Sequence, residues 1–248
     1  MQNIFMHLIM HSRNLPDGEF REYTGKRRRL ICMKIIIREP GSAITHYIAM
    51  LLSMLAATPL LVKAGMSRIP SAVTAMGIFM LAMILLYAAS SLYHSVTVKN
   101  SVLKIFRKLD HMMIFVLIAG TYTPICMLVL KGRQGMLMLA LIWAIALGGM
   151  ILKACWVTCP KWFSSMIYIA MGWVCVLVLP SLVRELSPQA FGWLLAGGII
   201  YTVGGIVYAL KLGHFNALHK YFGSHEIFHL FVMAGSFCHF ILMYQYIV

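Results

Sequence analysis

Acidic side chains are nearly missing from this chain. Seven Asp and Glu occur among 248 residues, and charged residues of both signs make up only 11%, where a soluble domain carries about 25%. With 61% of residues hydrophobic, there is more apolar side chain than one or two globular cores can bury. The same figures exclude a disordered tail and a collagen-like rod. Six scattered cysteines make no disulfide scaffold. What is left is a polytopic membrane protein. The net charge of +14 would suggest nucleic acid in a soluble chain. Here the basic residues fall in short gaps between apolar runs, as topogenic charges do, so no nucleic-acid partner is expected.

Seven stretches without Asp, Glu, Lys or Arg are long enough to cross a hydrocarbon core, which takes about 20 residues. They are 40–62, 69–98, 111–130, 134–152, 162–183, 186–210 and 227–248. Their continuity and length indicate helices rather than alternating barrel strands. The fold class expected is therefore all-α, a bundle of seven transmembrane helices over residues 34–248. Residues 1–33 form a basic leader that includes Lys26, Arg27, Arg28 and Arg29, a run suited to anionic lipid. A start at Met33 is the alternative for that segment. If the N-terminus is cytoplasmic, 16 of the Lys and Arg lie inside and 5 outside. That asymmetry predicts an N-in, C-out orientation.

Polar residues at the span ends carry the chemistry. An ionisable group at membrane depth is costly and marks a functional site by default. The sequence places Thr45-His46, Ser90-Ser91-Leu92-Tyr93-His94, Leu109-Asp110-His111 and His225-Glu226-Ile227-Phe228-His229 at span ends that all face the N-terminal side. His225 and His229 are four apart and share one helix face. His94 adds a third nitrogen from another span. Three neutral imidazoles leave one tetrahedral position for water, as in catalytic zinc sites.

Two other metal patterns fail. His225 to His229 also spells H-E-x-x-H, but no Asp or Glu follows Glu226, and His239 lies ten residues past His229, about 15 Å along a helix. The zincin ligand set is thus incomplete. Cys155 and Cys159 have helical i, i+4 spacing, yet with no histidine near them they read as small apolar filler. A retinal protein is excluded because the last lysine, Lys220, precedes the seventh span.

Together with Arg38-Glu39-Pro40 and Ala119-Gly120-Thr121-Tyr122-Thr123-Pro124, these segments resemble the hemolysin III family, the bacterial branch of the progestin and adipoQ receptor superfamily. The resemblance runs from Lys34 to the C-terminus. It implies zinc held by His94, His225 and His229, with Asp110 holding or activating a water and Ser90 one turn before the first histidine. It also implies a bacterial inner-membrane location and either hydrolysis of lipid amides, with ceramide as the reference substrate, or a part in membrane homeostasis.

Mechanistically, Asp110 is the expected proton acceptor, and Ser90 or Tyr93 a donor to the oxyanion. His46 and His111, with Tyr93, stand behind these groups as residues that orient them. Membrane lipids are the expected partners. The competing expectation is a membrane sensor or pore-forming protein whose zinc is closed by a fourth protein ligand, His46 or Asp110. The sequence leaves substrate and oligomeric state open.

Overall fold

The computed structural model describes residues 37–210 and 222–248. Seven helical stretches among them are long and apolar enough to cross a membrane. They are built from α1 (Pro40–Met66), α2 (Ala72–Ser95), α3 (Asn100–Pro124), α4 (Gly132–Cys155), α5 (Lys161–Gly172), α6 (Leu179–Glu185), α7 (Pro188–Leu210) and α8 (Ser224–Leu242). No strand occurs among the described residues. The chain is a multi-pass membrane protein. The basic leader, Met33, Lys211 and Lys220 lie outside the described residues.

Helix starts and stops follow local chemistry. Pro40 occupies the first turn of α1, where its missing N–H is no loss. The α1–α2 turn uses left-handed backbone at Arg68 and Ser71, and Gly132 takes φ 57° at the start of α4, a conformation that costs glycine little. α3 passes through Pro124 into a π turn over Ile125–Val129. Between α5 and α6 the chain tightens to 3-10 geometry over Trp173–Val178. Broken helix inside a bilayer needs a side chain to satisfy its freed backbone groups. Tyr122 does this: its hydroxyl donates to the Gly172 carbonyl at 2.6 Å and accepts from the Cys175 N–H at 2.8 Å.

Packing arranges the spans as a ring. α1 lies against α2 and α8, α2 against α3, α7 against α5 and α8, and α3 meets α5. α4 stands outside the ring, mainly against α3. The α2–α3 contact is close: a Cβ on Gly120 would stand 2.4 Å from the Cβ of Ala82. Small residues let membrane helices approach in this way, which gives Gly120 in the Ala119–Pro124 segment a packing role. At the end opposite to Ser95 and Ser224, buried Leu60, Met76, Leu182, Leu242 and Met243 form a continuous apolar cluster.

One expectation needs correction. The third span does not begin at Leu109-Asp110-His111; its helix begins at Asn100. Counting charge-free residues marks only the part that can lie in hydrocarbon, while the helix continues through Lys104, Arg107 and Lys108 toward the interface. Asp110 therefore sits in the third turn of a formed helix, and it is buried, 8% exposed.

Candidate metal centre

The last turn of α2 and the first turns of α8 meet at one end of the bundle. α2 ends when Val96 turns to extended backbone after Ser95, and this leaves His94 one residue from the helix end, 1% exposed. α8 opens with Gly223 in extended conformation. Glu226 caps that end by accepting from the Gly223 N–H at 2.8 Å, and it also accepts from Ser42 Oγ of α1 at 2.6 Å. Its carboxylate is thus used for capping and for tying α8 to α1. That engagement agrees with setting aside the zincin reading of the same motif.

One nitrogen from each of His94, His225 and His229 lies within 4.8 Å of the others. His225 Nε2 and His94 Nε2 are 3.2 Å apart. The tautomers follow from the neighbours. His94 Nδ1 donates to the Glu39 carboxylate, which leaves Nε2 as a bare lone pair. Thr45 Oγ1 directs its single proton to the carbonyls of Gly41 and Ser42, at 2.9 and 3.0 Å. It can therefore only accept from His229 Nδ1, at 3.3 Å, and His229 Nε2 is left bare as well. His225 Nδ1 is buried without a hydrogen-bond partner.

These nitrogens fit a metal ion. Two lone pairs facing each other repel unless a proton or a cation lies between them. Two nitrogens bound to a tetrahedral zinc at about 2.0–2.1 Å stand roughly 3.3–3.4 Å apart, close to the observed separation. Histidines that bind metals typically donate their other N–H to a carboxylate or another oxygen. Glu39 and Thr45 fill these positions.

The sequence alone gives Glu39 no role, although Arg38-Glu39-Pro40 is among the segments that carry the family resemblance. It precedes α1 and is fixed from several sides. Its backbone N–H donates to the His94 carbonyl at 3.0 Å, and Arg38 pairs with its carboxylate at 3.3 Å. The hydrogen bond from His94 holds the Glu39 carboxyl below its usual value of 4.5, against the opposing effect of burial, with help from the charge of Arg38. Arg38 also lies over the Tyr93 ring at 4.3 Å, and Tyr93 meets His94 edge-on with centroids 4.7 Å apart.

The other expected residues gather around this centre. His46 stacks flat on His229, centroids 3.6 Å apart and planes 6° apart, and meets Tyr87 edge-on at 5.0 Å. Neither His46 nitrogen has a hydrogen-bond partner. His111 Nδ1 donates to the Arg107 carbonyl at 2.8 Å and lies 3.6 Å from Asp110 Oδ2. Ser90 and Asp110 are buried, and both line the same cavity as the three histidines. Cys155 and Cys159 are not drawn into a metal site. Cys155 is exposed, and Cys159 Sγ is bonded to Lys153 Nζ at 3.0 Å and Ser164 Oγ at 3.1 Å.

The cavity measures about 810 Å³ and runs from Glu39, His94 and Asp110 at one end to Leu182 and Phe191 at the other. Its walls are mostly aliphatic and aromatic, including Leu117, Ile118, Ile169, Val176 and Leu194. α4 supplies none of its lining.

Residues 34–240 match the family described as Haemolysin-III related. The chain is 38% identical over 215 residues to Hemolysin-3 of Bacillus cereus, covering 87% of this chain and 94% of that protein. It is 38% identical over 216 residues to the Hemolysin-3 homolog of Bacillus subtilis (strain 168), covering 87% and 97%. The human Monocyte to macrophage differentiation factor is 29% identical over 166 residues, 65% of this chain and 66% of that protein. The chain belongs to the haemolysin-III-related family.

Proposed function

We propose that this member of the haemolysin-III-related family is a zinc-dependent hydrolase of membrane lipids, acting on an amide bond at the cytoplasmic face of a bacterial inner membrane. The observation that carries the reading is the convergence of His94, His225 and His229 nitrogens, two with their tautomers set by Glu39 and Thr45, at one end of an apolar cavity. Orientation rests on the charge asymmetry, which puts the histidine end on the basic, cytoplasmic side. When bound, zinc supplies a Lewis acid that polarises a carbonyl and brings the pKa of a coordinated water down to about 7.

The chain's own residues supply the rest. His94, His225 and His229 would hold the metal, each through one ring nitrogen. Asp110 lines the cavity with a carboxylate whose near neighbour is His111. In this reading it accepts a proton from a nucleophilic water and delivers it to the leaving amine nitrogen. Ser90 and Tyr93 line the same space, and their hydroxyls are the donors for the developing oxyanion in this reading. The apolar walls receive the acyl chain and exclude water from it.

Three converging nitrogens, rather than four ligands, favour chemistry over a closed structural site. Among the described residues, neither His46 nor Asp110 belongs to the converging group. The test compares wild type with Asp110→Asn, which keeps the size of the side chain and removes the base. Zinc content should stay the same while hydrolysis across a panel of N-acyl and O-acyl lipids falls by about a hundredfold or more. If wild type yields no product from any lipid, while Asp110→Asn disturbs membrane state as strongly as loss of zinc, the protein is a sensor and the hydrolase reading fails.

A further inference from the structure

The deep half of the cavity holds one histidine that the chemistry above does not use. His239 lies ten residues beyond His229 on α8, about 15 Å further along the axis, at the depth of the membrane interior. It is 5% exposed, its Nδ1 has no hydrogen-bond partner, and its side chain lines the cavity. The fold makes room for the ring: α7 presents Gly197, where a Cβ would stand 2.6 Å from His239 Nε2.

Its polar neighbours are already committed. Ser236 Oγ is 2.8 Å from the Tyr87 hydroxyl and 2.8 Å from the Tyr201 hydroxyl, so these three satisfy one another. Tyr201 meets His239 only ring to ring, with centroids 5.4 Å apart. A proton relay from the metal centre through Tyr87, Ser236 and Tyr201 is interrupted twice. His46 meets Tyr87, and Tyr201 meets His239, by ring contact and not by hydrogen bonds. Beyond His239 the cavity continues along apolar walls to Leu182 and Phe191, with Leu60, Leu242 and Met243 packed behind them, each at most 1% exposed.

An unpaired imidazole in hydrocarbon is unfavourable, and a leucine would fill the same notch without that penalty. The described residues offer His239 Nδ1 no partner, so a partner for the ring would come from whatever occupies the cavity that it lines. We infer that His239 is a second recognition point for that occupant, an amphiphile whose head group sits at His94, His225 and His229 and whose chain carries a hydrogen-bonding oxygen about 15 Å further on. This rests on the lipid-directed reading above and adds a preference for oxygenated chains. His239 acts here in binding and takes no part in the bond-breaking step.

The test uses the purified, zinc-loaded protein in detergent and two probes, oleate and ricinoleate, which differ by one hydroxyl near the middle of the chain. Wild type should bind ricinoleate about tenfold more tightly, the effect of pairing one buried polar group. In His239→Leu, and in Gly197→Ala, where the new methyl displaces the ring, the ratio of the two affinities should fall to about one. Zinc content reports that each variant is folded. Equal binding of both probes by wild type, or a preference that survives in His239→Leu, overturns the role of His239 while leaving a lipid pocket in place. Failure of wild type to bind either probe overturns the lipid reading itself, and this inference with it.

Discussion

Replacing Glu39 should loosen the metal without touching any ligand. The Glu39 carboxylate accepts the Nδ1 proton of His94, and this one bond sets the tautomer that leaves Nε2 free. Without it the imidazole can flip or move its proton to Nε2, and each such state must be reversed before metal binds. Removing a group of this kind typically weakens metal binding 10–100-fold, about 1.4–2.7 kcal/mol. The side chain of Glu39 is 43% exposed, so solvent screens its charge and the lower half of that range is expected. Burial of His94 works the other way, because its Nδ1–H has no water to turn to. The His94 bond holds the carboxyl below 4.5. The contribution is therefore complete above about that pH, persists through the neutral range, and is lost only as acid protonates the carboxylate below it. The assay is competition for zinc between detergent-purified protein and a chromophoric chelator. Glu39→Ala should lose about tenfold or more in affinity, and Glu39→Gln less, because the amide oxygen can still accept the proton. His94→Ala, His225→Ala and His229→Ala should each remove most of the zinc. Affinity within about twofold of wild type in Glu39→Ala, alongside zinc loss in the histidine variants, would refute the tautomer argument.

Two further outcomes follow from features away from the histidines. Reporter fusions or cysteine accessibility should place residues 99–108 in the cytoplasm and Val248 outside, as the basic asymmetry demands; a cytoplasmic C-terminus would reverse the orientation on which the site's location depends. Burial pushes the Cys159 thiol up, but Lys153 and Ser164 pull it further down, so it ionises below its usual value of 9.0. Alkylation of Cys159, followed by mass spectrometry against pH, should reach half its maximal rate at a higher pH in Lys153→Met than in wild type. An unchanged profile would show that the lysine does not set the thiol.

The histidine centre was legible because two rules acted on the same residues. Span counting put four polar clusters at one end of the bundle, and the four-residue spacing of His225 and His229 put two nitrogens on one face. The helix ends were less legible, since a charge-free run records hydrocarbon and not hydrogen bonding; α3 starts at Asn100, well before its apolar run. Glu39 and Thr45 stand in segments that the sequence singles out, but nothing local assigns them their roles. Their roles depend on α1 beginning beside the last turn of α2, a contact fixed by the Glu39 N–H to His94 carbonyl bond across 55 residues of sequence. The 3-10 break after Gly172 was hidden for a similar reason. It is stabilised by Tyr122 from another helix, and no residue inside the run 162–183 announces that partner.

The shape of the interior bears on which activity suits this bundle. A conducting pore needs polar lining or water continuous between the two membrane faces. Here charged and histidine side chains gather at the histidine end, His239 stands at mid-depth beside Tyr201, and Leu60, Met76, Leu182, Leu242 and Met243 pack as a buried apolar cluster toward the far end. A cavity that is polar at its mouth and apolar toward its base matches a molecule with one head group and one chain. The reacting carbonyl of such a molecule would lie at the mouth, where His94, His225 and His229 converge and where Asp110 and Ser90 line the wall. Chain length and chain polarity would then be measured along the 15 Å or so toward His239. Under the proposed function the two ends would act in different ways: the mouth would carry out chemistry on one bond, and the base would select which lipids bring that bond to it. Variants at Asp110 should therefore change rate with little change in lipid preference, whereas variants at His239 should change preference with little change in metal content.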